Sequence, residues 1–173
     1  MSCIIGLINK NKVYLGADSY ATTVDGERRP IIANKLFRNG KYLIGFAGSV
    51  RGGRILSDSS LKLPSNIWRL PDTIQEIFTE KGCITQDETC GVLQPCNFLI
   101  AYKAKLYEIL SDFQISEICG NFTAVGSGAS YAMGALHVLE KTSTKPEQKI
   151  TRALEAASFF TTTVGPPFFI ESI

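Results

Sequence analysis

Histidine is almost missing from this chain: His137 is the only one in 173 residues. A Ser-His-Asp or Cys-His mechanism would have to rest on it alone. It falls on an expected helix with no acid or hydroxyl neighbour in a nucleophile pattern, so neither mechanism fits. The five cysteines, Cys3, Cys83, Cys90, Cys96 and Cys119, are odd in number and never spaced Cys-x-x-Cys. That spacing argues against a disulfide framework and a structural zinc site, and leaves buried or idle thiols in a reducing cytoplasm as the expectation. Long apolar runs are lacking too. Cys3 to Ile8 is broken by Gly6 and followed by Asn9-Lys10-Asn11-Lys12, too short for a signal-peptide core or a membrane span, so export is not expected. Nor is there an excess of one charge: 18 basic against 16 acidic residues, net +2, gives no footprint for nucleic acid or an anionic membrane. No repeat, low-complexity tract or flexible linker is present, and no metal or cofactor is implied.

What is there suits one packed domain over residues 1–173. Hydrophobic residues make up 45% and charged residues 20% of the chain, a length and balance that supply one well-buried core and rarely two. Cys3 to Ile8 and Val13 to Ala17, joined by a polar turn, read as an antiparallel hairpin that brings Asp18 back beside Ser2. Thr22 to Arg29 reads as a loop. Asn34 to Arg38 and Lys41 to Ala47 form a second hairpin across Asn39-Gly40. Helical spacing follows from Val50, and a second helical segment runs from Pro71 through Thr79. Gly82 to Pro95 is polar and without period, a surface excursion. Asn97 to Tyr102 and Lys105 to Leu110 make a third hairpin, Phe122 to Val125 a further strand. Helices over 129–141 and 146–163 precede a last strand near Phe168 to Ile170. Strand pairs, two helices, more strand pairs and two more helices are not a βαβ alternation. The arrangement that buries all of them is an α+β fold, a four-layer αββα sandwich of two antiparallel sheets between helical layers.

The chemistry gathers near the start of the chain. Ser2 lies directly behind the initiator Met1, and a hydroxyl residue in that place can become an N-terminal nucleophile whose own freed α-amino group acts as base. That amine has an unperturbed pKa of about 7.7 to 8.0, so a useful fraction is neutral near pH 7, and a nearby cation lowers it further.

The start Ser2-Cys3-Ile4-Ile5-Gly6, then Gly16-Ala17-Asp18-Ser19-Tyr20-Ala21-Thr22, Lys35, Phe46-Ala47-Gly48 and Val125-Gly126-Ser127-Gly128 resemble, in order and near spacing, the proteasome β-subunit family and its bacterial relative HslV. The likeness covers nearly the whole chain and extends to short prokaryotic and phage proteasome-like proteins. It implies the N-terminal-nucleophile (Ntn) hydrolase fold and a cytoplasmic peptidase acting on peptides or unfolded proteins inside a ring-forming homo-oligomer, with an ATPase unfoldase as candidate partner. Ser2 then stands where the family has its nucleophilic threonine, and Asp18 follows at the family's spacing. Lys35 matches the lysine whose charge, held by Asp18, favours the deprotonated nucleophile and the neutral amine. Gly48 matches the glycine whose N–H stabilises the tetrahedral oxyanion. Ser127 matches the serine near the nucleophile's amine. Ser19 and Thr22 would line a channel where peptide is bound as an added strand, and Phe46 would sit beside the first specificity pocket.

Two departures stand out. The family's C-terminal Arg-Asp-x-x-Ser-Gly pattern aligns with Ser158-Phe159-Phe160-Thr161-Thr162-Thr163, so Phe159 replaces the acid while Thr162 keeps a hydroxyl. Glu155, about one helical turn earlier, is the nearest acid. The nucleophile is serine, without the β-methyl that fixes a threonine rotamer. Two alternatives to an active peptidase follow: a catalytically silent ring subunit, and a small-molecule amidase that uses Cys3 after loss of two residues. Asp18 with Lys35 also reads as a plain ion pair, Phe46 as a core aromatic, Gly48 as a turn residue and Ser127 as a helix cap.

Overall fold

The computed structural model describes residues 2–22, 28–30, 34–87, 91–93 and 96–173. Strands β1 (Ile4–Asn9) and β2 (Lys12–Ala17) form the first hairpin, with Ile4 opposite Ala17. β3 (Tyr20–Thr22) pairs with β4 (Arg28–Pro30), then β5 (Leu36–Asn39) and β6 (Tyr42–Gly48) form the second hairpin. Helix α1 (Val50–Leu56) and helix α2 (Leu70–Glu80) follow, the latter entered through a single 3-10 turn. After β7 (Thr85–Asp87) and β8 (Gly91–Leu93) come β9 (Cys96–Tyr102), β10 (Lys105–Ile109), β11 (Ile115–Glu117) and β12 (Phe122–Val125). Helices α3 (Ala129–Leu139) and α4 (Pro146–Phe160) lead to β13 (Phe169–Ser172).

Two larger antiparallel sheets result, one in the order β12-β1-β2-β13 and one in the order β11-β10-β9-β6-β5. Successive side chains of a strand point to opposite faces, and both faces of β1, β6 and β9 are buried, which is why they read as continuous apolar runs. Ile4, Leu15, Leu43, Leu99 and Leu106 meet between the sheets. Ile5 and Leu7 face the other way, onto Leu136, Ile150 and Leu154 of α3 and α4. Ile44, Phe98 and Ile100 pack on the far side of the second sheet against Leu70, Ile74 and Phe78. Three apolar layers separate four layers of structure, the αββα order expected from the sequence. Burying each such Leu, Ile or Phe contributes about 1.5–3 kcal/mol.

The differences lie at short elements and element ends. Part of the stretch read as a loop, Thr22 to Arg29, is ladder: Thr22 pairs with Arg28 and Ala21 with Arg29. Part of Gly82 to Pro95 is paired as well, Thr85 with Leu93, while Cys90 lies outside the described residues. Strand β11 went unread because three residues, two of them exposed, show no alternation. Helix α4 stops at Phe160, not Thr163: three consecutive β-branched threonines are poor helix formers, and Thr161 is already extended at φ −126°, ψ 146°. No helix among the described residues is long and apolar enough to cross a membrane.

Candidate active site

The first hairpin sets the geometry. Its ladder runs one step past the strands: Asp18 N–H donates to Cys3 O at 3.3 Å, and Cys3 N–H donates to Asp18 Oδ1 at 2.9 Å. Asp18 is thereby fixed beside the residue that follows Ser2. Its other oxygen accepts from Tyr20 N–H at 3.0 Å. Lys35, directly before β5, reaches in from the second sheet, its Nζ donating to Asp18 Oδ1 and to Tyr20 O, both at 2.7 Å. Lys35 is 2% exposed and Asp18 0%. Burial pushes the lysine pKa below its ordinary value, against the opposing pull of Asp18. The ion pair is therefore a buried one whose carboxylate also accepts two backbone N–H groups, unlike the solvated pairs that contribute little.

The second side of the site comes from the turn between β12 and α3. Gly126 has φ +100°, and a Cβ on it would lie 2.2 Å from Ser2 O. Only glycine lets that turn approach so closely. The same carbonyl accepts from Gly128 N–H at 3.2 Å and from Ser127 Oγ at 3.3 Å. Ser2 itself is 1% exposed. Ser127 Oγ lies 2.7 Å from Thr163 Oγ1, so a threonine hydroxyl just past the end of α4 joins Ser127.

Asp18, Lys35 and Ser127 thus converge around the Ser2–Cys3 backbone. Gly48 ends β6 opposite Cys96, exposed and at φ +135°. Phe46 is buried, its ring packed on Gly53 and tilted against Phe37. Its N–H donates to Lys35 O at 3.1 Å. Ser19 is 1% exposed, with its hydroxyl and N–H both donating to Gly165 O at 3.4 and 3.1 Å. Thr22 takes part in β3 through its backbone, and its side chain lies outside the described residues.

Phe159 is 83% exposed at the end of α4, edge-on to Phe160, which stacks on Tyr131. Glu155 and His137 are exposed. The Cys3 thiol packs toward α3 and α4, and burial, then the charge of Asp18, push its pKa up to about 12. Sequence reasoning also missed the Cys3 N–H and the Tyr20 main chain as partners of Asp18 and Lys35, contacts that depend on backbone and leave no residue signature.

No protein-family model matches the chain. It is 28% identical over 159 residues to the ATP-dependent protease subunit HslV of Caldicellulosiruptor saccharolyticus, covering 90% of this chain and 88% of that one. In structure it resembles Thiobacillus denitrificans BPH in complex with epoxomicin, with a TM-score of 0.86, 20% identity and coverage of 99% and 97% of the two chains. Eukaryotic HslV from Trypanosoma brucei follows with a TM-score of 0.74, 21% identity and 98% coverage of both. These likenesses support the resemblance to the proteasome β-subunit/HslV-like family. Its αββα sandwich is the fold of these solved structures, the Ntn-hydrolase fold. Phe159 turns to solvent, and Ser127 is joined by a hydroxyl.

Proposed function

We propose that this chain is an Ntn peptidase that hydrolyses peptide bonds with Ser2 after removal of Met1. The observation that carries the reading is the Asp18 carboxylate, which holds the Cys3 N–H and the Lys35 ammonium together at a buried position one residue from Ser2. In the mature chain the α-amine of Ser2 takes the proton of its own Oγ as the oxygen attacks the substrate carbonyl. Lys35, charged beside it, lowers the amine's proton affinity and stabilises the developing negative charge. The Gly48 N–H serves the tetrahedral oxyanion, a donor type whose loss costs about 10²- to 10³-fold in rate. The ammonium then returns its proton to the leaving amine, and an ester to Ser2 remains. Water attacks that ester with the α-amine again as base, releasing the acyl product and restoring the hydroxyl. Ser127, which donates to the Ser2 carbonyl and is itself bonded to Thr163, holds the main chain of the nucleophile.

The likeness to an ATP-dependent protease subunit supports reading this chain as a subunit of a homo-oligomeric ring that receives unfolded protein from an ATP-driven partner. One observation favours the second reading, a silent ring subunit: among the described residues no carboxylate is bonded to Ser127, and Phe159 is exposed. The Cys3 amidase has less support, since a thiol with a pKa of about 12 is protonated at neutral pH. The deciding experiment pairs intact-mass analysis with a fluorogenic peptide assay. Loss of Met1 together with hydrolysis that disappears in Ser2→Ala is expected. Retained Met1, or hydrolysis that survives Ser2→Ala, contradicts the proposal.

A further inference from the structure

The segment that leaves α4, Thr163-Val164-Gly165, touches the site in three places. Thr163 Oγ1 lies 2.7 Å from Ser127 Oγ. Val164 is fully buried under Gly128, where a Cβ would lie 2.8 Å from Val164 Cγ2 and 2.9 Å from Cys3 Cβ. Gly165 O accepts from both the N–H and the hydroxyl of Ser19. The ring of Tyr20 covers Gly165 so closely that a Cβ there would lie 2.4 Å from Cε2 and Cζ. Gly165 does not take up a left-handed φ, so its backbone would suit any residue. The Tyr20 ring is what excludes a side chain at that position.

The main chain of Tyr20 is bonded to both members of the buried pair. Its N–H donates to Asp18 Oδ2 at 3.0 Å, and its carbonyl accepts from Lys35 Nζ at 2.7 Å. Burial works against the lysine charge, and a carbonyl that accepts from the ammonium works for it. How firmly that carbonyl is held therefore decides how well Lys35 stays charged. The β3–β4 ladder does not hold it, since Tyr20 lies opposite Pro30, which has no N–H to give. The ring seated on Gly165 supplies the anchor instead.

We infer that Tyr20 is a positioning residue for Lys35: its ring, seated on Gly165, holds the Tyr20 carbonyl on the ammonium and couples the end of α4 to the catalytic charge. For catalysis, the inference rests on the peptidase reading above. When the ring loses its seat the carbonyl drifts from Nζ, and Lys35 gives up its proton more readily. A less charged Lys35 lets the Ser2 α-amine hold its proton to higher pH. The rate then loses range on both sides, because the reaction needs a neutral amine and a charged lysine together. Asp18 and Cys3 are the titratable groups that act on Lys35, and the Cys3 thiol, pushed up to about 12, stays protonated near neutral pH. A Tyr20 that only stabilised the fold would change the denaturation midpoint and leave both limbs of the pH profile in place.

The test compares the full-length chain after Met1 removal with Tyr20→Phe, Tyr20→Ala, Gly165→Ala and the double variant Tyr20→Ala/Gly165→Ala. Each is assayed with one fluorogenic peptide across the pH profile, and Lys35 Nζ is titrated in parallel by NMR of 15N-lysine protein, its signal assigned with Lys35→Arg. Tyr20→Phe keeps the ring and should match the parent. Tyr20→Ala and Gly165→Ala are each expected to lower kcat and kcat/KM equally, about tenfold near pH 7, with KM unchanged and a narrower pH profile. Their Lys35 midpoints should fall. The double variant should be no slower than Tyr20→Ala, since the three atoms nearest the added methyl belong to the missing ring. Additive losses in the double variant, unmoved limbs in Tyr20→Ala, or a Tyr20→Phe as slow as Tyr20→Ala overturn the inference. If no peptide is cleaved, the NMR titration still decides it. A midpoint that falls in Tyr20→Ala and Gly165→Ala but not in Tyr20→Phe upholds the positioning of Lys35 while the peptidase reading fails, and a midpoint unchanged in all three overturns it.

Discussion

Asp18 is the most heavily used side chain of the site, taking Cys3 N–H, Tyr20 N–H and the Lys35 ammonium on one fully buried carboxylate. Removing Lys35 would leave that carboxylate without its counter-ion, a change that costs about 3–5 kcal/mol where an exposed pair would cost about 1 kcal/mol or less. Lys35→Ala is therefore expected to lower the urea midpoint markedly and, per folded molecule, to abolish peptide hydrolysis. Lys35→Arg should not restore the rate, because a guanidinium differs in size and donor geometry. Folded Lys35→Ala cleaving at the parental rate would refute the catalytic role. The thiols give a second check. Burial raises Cys3 and Cys96 to about 12, whereas Cys119 is exposed. Iodoacetamide at pH 8 should label Cys119 in the native protein and reach Cys3 and Cys96 only on unfolding; prompt native labelling of Cys3 would contradict its placement. The same shift has a pH consequence. Folded thiols keep protons that unfolded thiols lose above about pH 8.5, so the stability they contribute is complete below that pH and declines as pH rises toward 12. Cys96→Ala should accordingly lose less stability than the parent between pH 9 and 11, measured by urea titration.

At the scale of elements, the sheets and helices come unusually close where glycine permits. A Cβ on Gly16 of β2 would lie 2.1 Å from Ile150 Cγ2 of α4, so Gly16→Ala must push the helix off the sheet. A loss of about 1–3 kcal/mol is expected, read as a lower thermal midpoint; an unchanged midpoint would show that α4 does not rest on β2 as described. The three long hairpins were legible in the sequence because double-sided burial gives uninterrupted apolar runs ended by turn residues such as Asn39-Gly40. The β3–β4 and β7–β8 ladders were not. Three-residue polar strands are held by backbone pairing alone, which leaves no periodic trace. The end of α4 was misplaced by three residues for a related reason, since threonine propensity is a weak signal until the chain has a turn to make there.

For the whole molecule, the layering follows from where the apolar faces point, and the site sits where both sheets and the α3 turn meet the chain's first residues. Asp18 and Lys35 could be named from sequence because their types and spacing follow the family pattern. The fixing of Ser2 by Gly126 and Gly128, and the Thr163 partner of Ser127, are properties of the assembled fold. The central claim is that residue 2 offers a hydroxyl and a free amine together. A peptide epoxyketone carries two electrophilic carbons, one for the serine oxygen and one for the amine, and it adds without a leaving group. Mass spectrometry of the protein after treatment should show Met1 absent and the full inhibitor mass added at Ser2, with no addition to Ser2→Ala. An unmodified Ser2 in a folded chain that has lost Met1, or an adduct located at Cys3, would contradict the account.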